Sequence, residues 1–309
     1  MAGGITTQDI FGVNGLVVVV TGGGTGLGLC IAKALDANGA KAVYIIGRRL
    51  EVLQQAADES VNGTIRPIAA DVTDKSSLLQ AAQRVEREEG FVNLLFANSG
   101  VAGPDQVKLT QKPDGEDLSV EEFQQAMLSL PMDEFTDILN VNTTGAFMTA
   151  MAFLNLLDKG NESQAFAQAS QIVITSSMAG FCRLPGLSFA YNVSKAAVTH
   201  LGKMMASTFA QQGFSIRVNV IAPGFYPCGT SEAHAGNMKP SDNVEGAFEM
   251  PVCPVGRTGS ETDMAGLVLF LASQAGAYLN GATILTVSDC PPFGKTRRLT
   301  IRLPRMVDC

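Results

Sequence analysis

Tyr191 and Lys195 stand four residues apart in Tyr191-Asn192-Val193-Ser194-Lys195, and Ser177 precedes the tyrosine by fourteen residues. On a helix, that spacing puts the phenol and the ammonium on one face. A free phenol titrates near pH ~10 and is a sluggish base at neutral pH. An ammonium beside it favours the phenolate and makes tyrosine a workable acid/base. A serine hydroxyl nearby can hydrogen-bond the same substrate oxygen and steady the charge that develops there. The chemistry such a trio suits is proton delivery to a carbonyl oxygen while its carbon is reduced, or the reverse. Taken alone, Y-x-x-x-K is more often a surface pair, and Ser-Ser after a strand is often a helix cap. The weight lies in what surrounds them.

A second constellation lies at the other end of the chain. Thr21-Gly22-Gly23-Gly24-Thr25-Gly26-Leu27-Gly28 follows a β-branched run and precedes a helical pattern. Glycines there let the backbone turn tightly and approach a phosphate, which the next helix N-terminus receives with free N–H groups. The spacing is T-G-x-x-x-G-x-G, not G-x-G-x-x-G, and a turn needed only for strand-to-helix packing is the competing reading. About twenty residues on, a carboxylate would bind the adenosine ribose of NAD. None occurs from Lys41 to Arg49, where Arg48 and Arg49 stand instead. Guanidinium forks suit a 2′-phosphate, so NADP is the preferred cofactor, with NAD as the alternative if the arginines are only a solvated pair.

These residues need a scaffold that collects them. Buried strands are predicted at 16–21, 41–46, 63–70, 92–97, 171–175, 215–221 and 282–287. Between them the pattern turns helical at 27–38, 50–60, 75–89, 132–157 (with a break near Asn142), 189–212 and 261–273. Near-continuous apolar strands alternating with helices argue for one parallel sheet covered on both faces. Ligands of such sheets bind outside the carboxyl ends of the strands. The glycine turn, Asp71, Asn98, Ser177 and Pro223-Gly224 all fall at such ends. Two irregular stretches, an insertion at 101–131 with a short helix at 120–130 and a lid at 225–259, are placed to border the pocket.

Composition narrows the partners. The chain has 309 residues, 46% of them apolar, and a net charge of −7. An acidic chain with no basic block before its last thirty residues is a poor nucleic-acid binder. Six scattered cysteines and two histidines offer neither a zinc spacing nor a disulfide framework. No metal is expected, and no signal peptide or membrane span is read. The cytosol is the default compartment. His200 reads as a core or surface residue, and His234 as a minor candidate for substrate contact. Cys182, Cys228, Cys253 and Met204 read as apolar packing groups, and Phe225 and Tyr226 as pocket walls.

In this order and placement, the motifs resemble the short-chain dehydrogenase/reductase family, over about residues 15–287. Thr21, Gly22, Gly26 and Gly28 match its cofactor turn, Asp71 its adenine contact, Asn98 its fourth-strand motif and Pro223-Gly224 the segment beside the nicotinamide. Asn142 matches the residue that completes a tetrad with Ser177, Tyr191 and Lys195 and holds a water behind the lysine. The resemblance implies a Rossmann-type doubly wound sheet of about seven strands in a single domain over residues 1–288. It implies an enzyme that moves a hydride between NADP(H) and a ketone, aldehyde or alcohol. The cofactor set then comprises Thr21, Gly22, Gly24, Gly26, Leu27, Gly28, Arg48, Arg49, Asp71, Val72, Asn98, Ser99, Gly100, Tyr191, Lys195, Pro223, Gly224 and Phe225. The likeness is strongest to members from filamentous fungi, many of which act in secondary metabolism. A homodimer or homotetramer is also implied, through the helices after strands four and five; the small apolar face Ala196, Ala197, Met204, Met205 and Ala206 permits it.

The chain departs from the family pattern in three places. The Ser177-to-Tyr191 gap is one residue longer than the common thirteen, so Ser176 is an alternative substrate contact. The fourth-strand motif reads Ala97-Asn98-Ser99-Gly100. Residues 289–309 form a basic tail, read as a divergent terminus or, less simply, as a clamp on a partner. Two other functions share the motifs: a non-redox step on the same scaffold, and an NADPH sensor. The intact tetrad counts against both.

Overall fold

A computed structural model describes residues 4–103, 117–162, 166–183, 188–227, 240–245, 247 and 255–287. Seven strands form one parallel sheet: β1 (Val17–Thr21), β2 (Ala42–Gly47), β3 (Ile65–Ala69), β4 (Leu94–Ala97), β5 (Gln171–Thr175), β6 (Arg217–Pro223) and β7 (Thr283–Thr286). Their order is β3-β2-β1-β4-β5-β6-β7. The chain winds outward from β1 in one direction and restarts from β4 in the other. The crevice between β1 and β4 is therefore the switch point, where a ligand can enter between diverging loops.

Alternate residues of one strand feed two cores. Val17 and Val19 of β1 pack with one cluster, which includes Phe153, Val198, Met205 and Phe209. Val18 and Val20 pack with the other, which includes Ile31, Leu35, Leu53, Met264 and Val268. The first cluster is roofed by α4 (Lys75–Glu89), α7 (Gly145–Glu162) and α8 (Phe189–Gln211), and the second by α2 (Gly26–Ala37), α3 (Leu50–Asp58) and α9 (Glu261–Ala272). Burial on both faces is why these strands read as unbroken β-branched runs. The helix expected at 75–89 lies there, capped by Asp74 and ended by Gly90 at φ +83. One short helix, α1 (Thr7–Phe11), was not legible. It is polar, five residues long and buries nothing, so no periodicity marks it.

The long helical stretch divides near Asn142. Helix α6 (Met132–Leu139) runs into a π-helical turn over Asn140–Thr144 and then into α7. A π turn inserts an extra residue per loop and re-aims the side chains within it. Within the insertion the structure describes α5 (Val120–Leu128), opened by a reciprocal Ser119–Glu122 capping box. Residues 104–116, most of 225–259 and all of 288–309 lie outside the described residues, so the lid, His234, Cys228, Cys253 and the basic tail are not located.

At the opposite end of the sheet, buried Asp36 anchors the turn before β3. Its carboxylate accepts from Ser60 Oγ at 2.8 Å, the Val61 N–H at 2.7 Å and Thr64 Oγ1 at 2.6 Å. Burial opposes the charge, but the hydrogen bonds from Thr64, Ser60 and the backbone outweigh it and hold the carboxyl below its usual range. Such a depressed acid stabilises the fold above its unfolded pKa, and the contribution fades as pH falls through the folded value. Asp36→Ala is expected to cost about 2–4 kcal/mol at pH 7 by stranding these donors. Urea unfolding should show a smaller difference at acid pH, where the wild type also loses the charge.

Candidate active site

The glycine turn is built for close approach. Gly22 (φ +65) and Gly26 (φ +54) take left-handed backbone, and a Cβ on Gly28 would collide with the Gly22 carbonyl oxygen. Thr21 Oγ1 accepts from the N–H groups of Asn98 and Ser99 at 3.0 and 3.1 Å, and Asn98 Nδ2 donates to the Thr21 carbonyl at 3.0 Å. The ends of β1 and β4 are thus stitched together at the switch point. No side chain caps the first turn of α2, so its N-terminal N–H groups are available to an anion. Gly28→Ala is expected to force the turn open, lower stability by roughly 1–3 kcal/mol and abolish dinucleotide binding. Thermal melts with and without NADPH would check this.

An open cleft, about 750 Å3 counting the solvent space at its mouth, runs outward from this turn. Gly22, Gly24 and Thr25 form its floor, Ser99 and Gly100 its inner end, Asp71 and Val72 one wall, and Arg48 and Arg49 its outer lip. Both arginines are exposed at the carboxyl end of β2. Asp71 accepts from the Thr73 N–H at 2.9 Å and Thr73 Oγ1 at 2.7 Å. The backbone bond from Thr73, with a lesser pull from the Arg48 charge, keeps its carboxyl below the usual range. Floor, cationic lip and uncapped helix together fit an elongated molecule carrying phosphates. Not every residue expected at the cofactor lines this cleft. Leu27 packs towards the second core, Asn98 acts as the stitch, and Pro223 is buried in the sheet. Gly224 abuts Val287, and the Phe225 carbonyl accepts from the Gly259 N–H at 2.7 Å.

Tyr191, Lys195 and Ser177 do not line this cleft themselves; Gly100, at its inner end, borders Lys195 and Asn142. Helix α8 starts at Ser188, whose Oγ accepts from the Tyr191 N–H at 3.0 Å. Lys195, one turn on, is 4% exposed. Its Nζ donates to the Thr175 carbonyl at 3.0 Å and lies 5.7 Å from the centre of the Tyr191 ring. Burial pulls the ammonium down to about 8. A Cβ on Gly100 would lie 3.3 Å from Lys195 Nζ and 3.2 Å from Asn142 Oδ1, so the strand-four loop passes close by both. Buried Asn142 clamps that loop: Oδ1 accepts from the Val101 N–H at 2.8 Å, and Nδ2 donates to the Val101 carbonyl and to Ser194 Oγ, each at 2.9 Å. Ser177 is extended at φ −163 and caps the 3-10 turn Met178–Gly180, its Oγ accepting from the Ala179 N–H at 3.1 Å. Ser176 turns the other way, into α8.

Several smaller expectations are corrected. Met204 is 54% exposed rather than packed inside, because it falls on the outward stripe of α8. Tyr226 joins the second core against Gly259 instead of walling a pocket. His200 lies exposed on α8. Gly180, Ser194 and Thr199 surround the trio and were not singled out. Only Thr199 carried a sequence signal, a hydroxyl four residues after Lys195 on the same helix, which helix packing alone also produces.

Comparisons with known proteins agree with this geometry. A family model described as short chain dehydrogenase matches residues 16–235. The short-chain dehydrogenase/reductase PhomF of Diaporthe leptostromiformis is 44% identical over 284 residues, covering 91% of this chain and 93% of that protein. The NADP-dependent (R)-specific alcohol dehydrogenase of Lentilactobacillus kefiri is 31% identical over 277 residues, covering 87% and 94%. Among solved structures, the Pseudomonas aeruginosa RhlG/NADP active-site complex superposes with a TM-score of 0.73 at 27% identity, covering 90% of this chain and 97% of that one. The parallel sheet, the switch-point cleft and the sequence likeness converge: this chain belongs to the short-chain dehydrogenase family, with close likeness to fungal members.

Proposed function

We propose that this oxidoreductase interconverts a ketone or aldehyde and its alcohol with NADP(H), using Tyr191 as the acid/base. The observation that carries the reading is the buried Lys195 ammonium, held by the Thr175 carbonyl 5.7 Å from the centre of the Tyr191 ring and beside Gly100, which lines the cleft. When bound, the dinucleotide supplies or accepts the hydride. The Gly22–Gly24 floor and the N-terminus of α2 would hold its phosphates, Asp71 and Val72 would take its adenine, and Lys195 would take its nicotinamide ribose. In the reducing direction Tyr191 gives its phenolic proton to the carbonyl oxygen, and the adjacent ammonium stabilises the phenolate left behind. Ser177 holds the same oxygen and orients it. Asn142 keeps the Val101 loop and Ser194 in place behind the pair.

Preference for NADP rests on the two exposed arginines at the lip and the absence of a carboxylate from Lys41 to Arg49. The NADP in the names of the kefiri enzyme and the Pseudomonas complex is in keeping with it. Fluorescence titration of NADPH against NADH tests this. Arg48→Asp is expected to weaken NADPH binding by about 10–100-fold and to keep or strengthen NADH binding, since a carboxylate there can accept from the adenosine ribose. Equal affinity for both cofactors in the wild type would overturn the preference. Carbonyl compounds of fungal secondary metabolism are the first class to screen, on the likeness to the Diaporthe protein.

The chain also self-associates in this reading. Phe189 and Val193 are 43% and 48% exposed, and together with Ala196 and Met204 they form an apolar outward stripe on α8. Met205 and Ala206, once counted with that face, are buried beneath it. The outward stripe suits a second copy. Cys30 is a buried free thiol among the described residues, which suits a reducing compartment such as the cytosol. Among the described residues no helix is long and apolar enough to cross a membrane.

A further inference from the structure

The last residues of β5 hold Lys195 at two points. Thr175 gives its carbonyl to the Lys195 ammonium at 3.0 Å. Ser176, the next residue, gives its hydroxyl to the Lys195 carbonyl at 2.9 Å. Thr199 Oγ1 lies 2.7 Å from the same carbonyl and 2.6 Å from Ser176 Oγ. Ser176, Lys195 and Thr199 are all buried. Two hydroxyl protons serve these three short contacts, so at least one donates to the carbonyl and the other joins it or its neighbour. A threonine reaching back to the carbonyl four residues earlier is a common local feature of helices. The third member, delivered from another element, makes this a joint between strand and helix.

The turn after Ser177 closes on the same peptide from the other side. A Cβ on Gly180 would stand 2.8 Å from the Lys195 carbonyl carbon and 2.9 Å from the Ala196 nitrogen. The segment around Ser177 is thus seated on the Lys195–Ala196 peptide both before and after that serine. We infer that Ser176 and Thr199 are positioning residues, which fix the Lys195 peptide against the end of β5 and thereby set Ser177, Lys195 and Tyr191 in one register. The inference rests on the reading of those three as the catalytic group. Neither hydroxyl touches substrate; each acts through the Lys195 main chain.

The test is the double variant Ser176→Ala/Thr199→Val, with Thr199→Ser as the conservative control. Alcohol oxidation is followed as a function of pH at saturating cofactor. The double variant is expected to lose about 100-fold in kcat through misplacement of the reacting groups, with the NADPH Kd moving far less, by about threefold at most, because the phosphate floor and the arginine lip are untouched. The rising limb of its pH–rate profile should move up by about one unit as the ammonium withdraws from the phenol. Thr199→Ser should restore both. If the double variant does not fold, Ser176→Ala alone, which removes one oxygen, should lose about 10-fold in kcat with the same upward move. A kcat and midpoint within twofold and a few tenths of a unit of wild type would overturn the inference, as would a Thr199→Ser as impaired as the double variant. A wild type that binds NADPH but turns over no carbonyl or alcohol would defeat the functional reading instead. The Lys195 titration, followed by lysine-selective NMR, would then still read the joint: a changed midpoint in the double variant supports it and an unchanged one overturns it.

Discussion

Tyr191→Phe is expected to lower kcat by about 10³–10⁴-fold while leaving NADPH binding and thermal stability near wild type. The substitution deletes one hydroxyl and keeps the ring. The backbone N–H of residue 191 still reaches Ser188 Oγ, and the 191 carbonyl still accepts from Ser194 Oγ at 2.7 Å, so the start of α8 should hold. Without the phenol, nothing in the trio can give the substrate oxygen a proton at the right place. Serine is far too weak an acid for that role, and the buried Lys195 ammonium, one of its three protons on the Thr175 carbonyl, acts through the phenol rather than in its place. General acid/base catalysis of this type contributes up to about 10⁴-fold. Retained turnover in a folded, cofactor-binding Tyr191→Phe protein would remove Tyr191 from the mechanism. An NADPH sensor would keep its output in that variant, which separates the two functions directly.

Lys195→Met should do two opposite things: cut kcat by about 100-fold or more and raise stability at neutral pH. The ammonium is buried and held near pKa 8 by desolvation, against 10.5 when unfolded. Below about pH 8 both states carry the proton, and the fold bears the whole cost of burying it. Between about 8 and 10.5 the folded chain sheds a proton that the unfolded chain keeps, so wild-type stability climbs with pH across that window. Above it both forms are neutral and the cost is gone. A depression of this size corresponds to about 3 kcal/mol. Methionine fills similar space but strands the Thr175 carbonyl, which returns ~1–2 kcal/mol. The net gain at pH 7 should be about 1–2 kcal/mol, vanishing or reversing by pH ~10.5. Urea unfolding at the two pH values measures it. A variant less stable than wild type at pH 7 would mean that the ammonium is stabilised by more than the single carbonyl.

In the proposed mechanism such a residue is kept against stability because of what it does to its neighbour. The same desolvation that makes Lys195 costly strengthens its field at the phenol, since nothing in the interior screens it. Activity and stability are therefore set against each other at one atom.

Much of this was legible in the linear chain, where the information is local. The seven strands stand close to where the sequence placed them, and most plainly the five inner ones, because parallel strands buried on both faces are largely apolar, whereas the edge strands β3 and β7 are only partly buried. Gly22 and Gly26 were readable as a turn because left-handed backbone all but requires glycine. The Tyr191–Lys195 pair was readable because helical spacing alone brings the two side chains to one face. Other features depend on residues far apart in sequence. Ser176 and Ser177 are chemically identical neighbours, and only the packing of α8 against β5 spends the first on the Lys195 carbonyl. Met204 and Met205 look alike in a string, yet the rotation of α8 on the sheet exposes one and buries the other. Tyr226 went into the core because Gly259, thirty-three residues later, leaves room for its ring. Asn142 was identified only by resemblance, and its clamp on Val101 needs the π turn to aim it. Propensity and periodicity act within a few residues and so fix elements; which side of an element meets which neighbour is settled when the elements close-pack, and that is where the lysine acquired its buried charge.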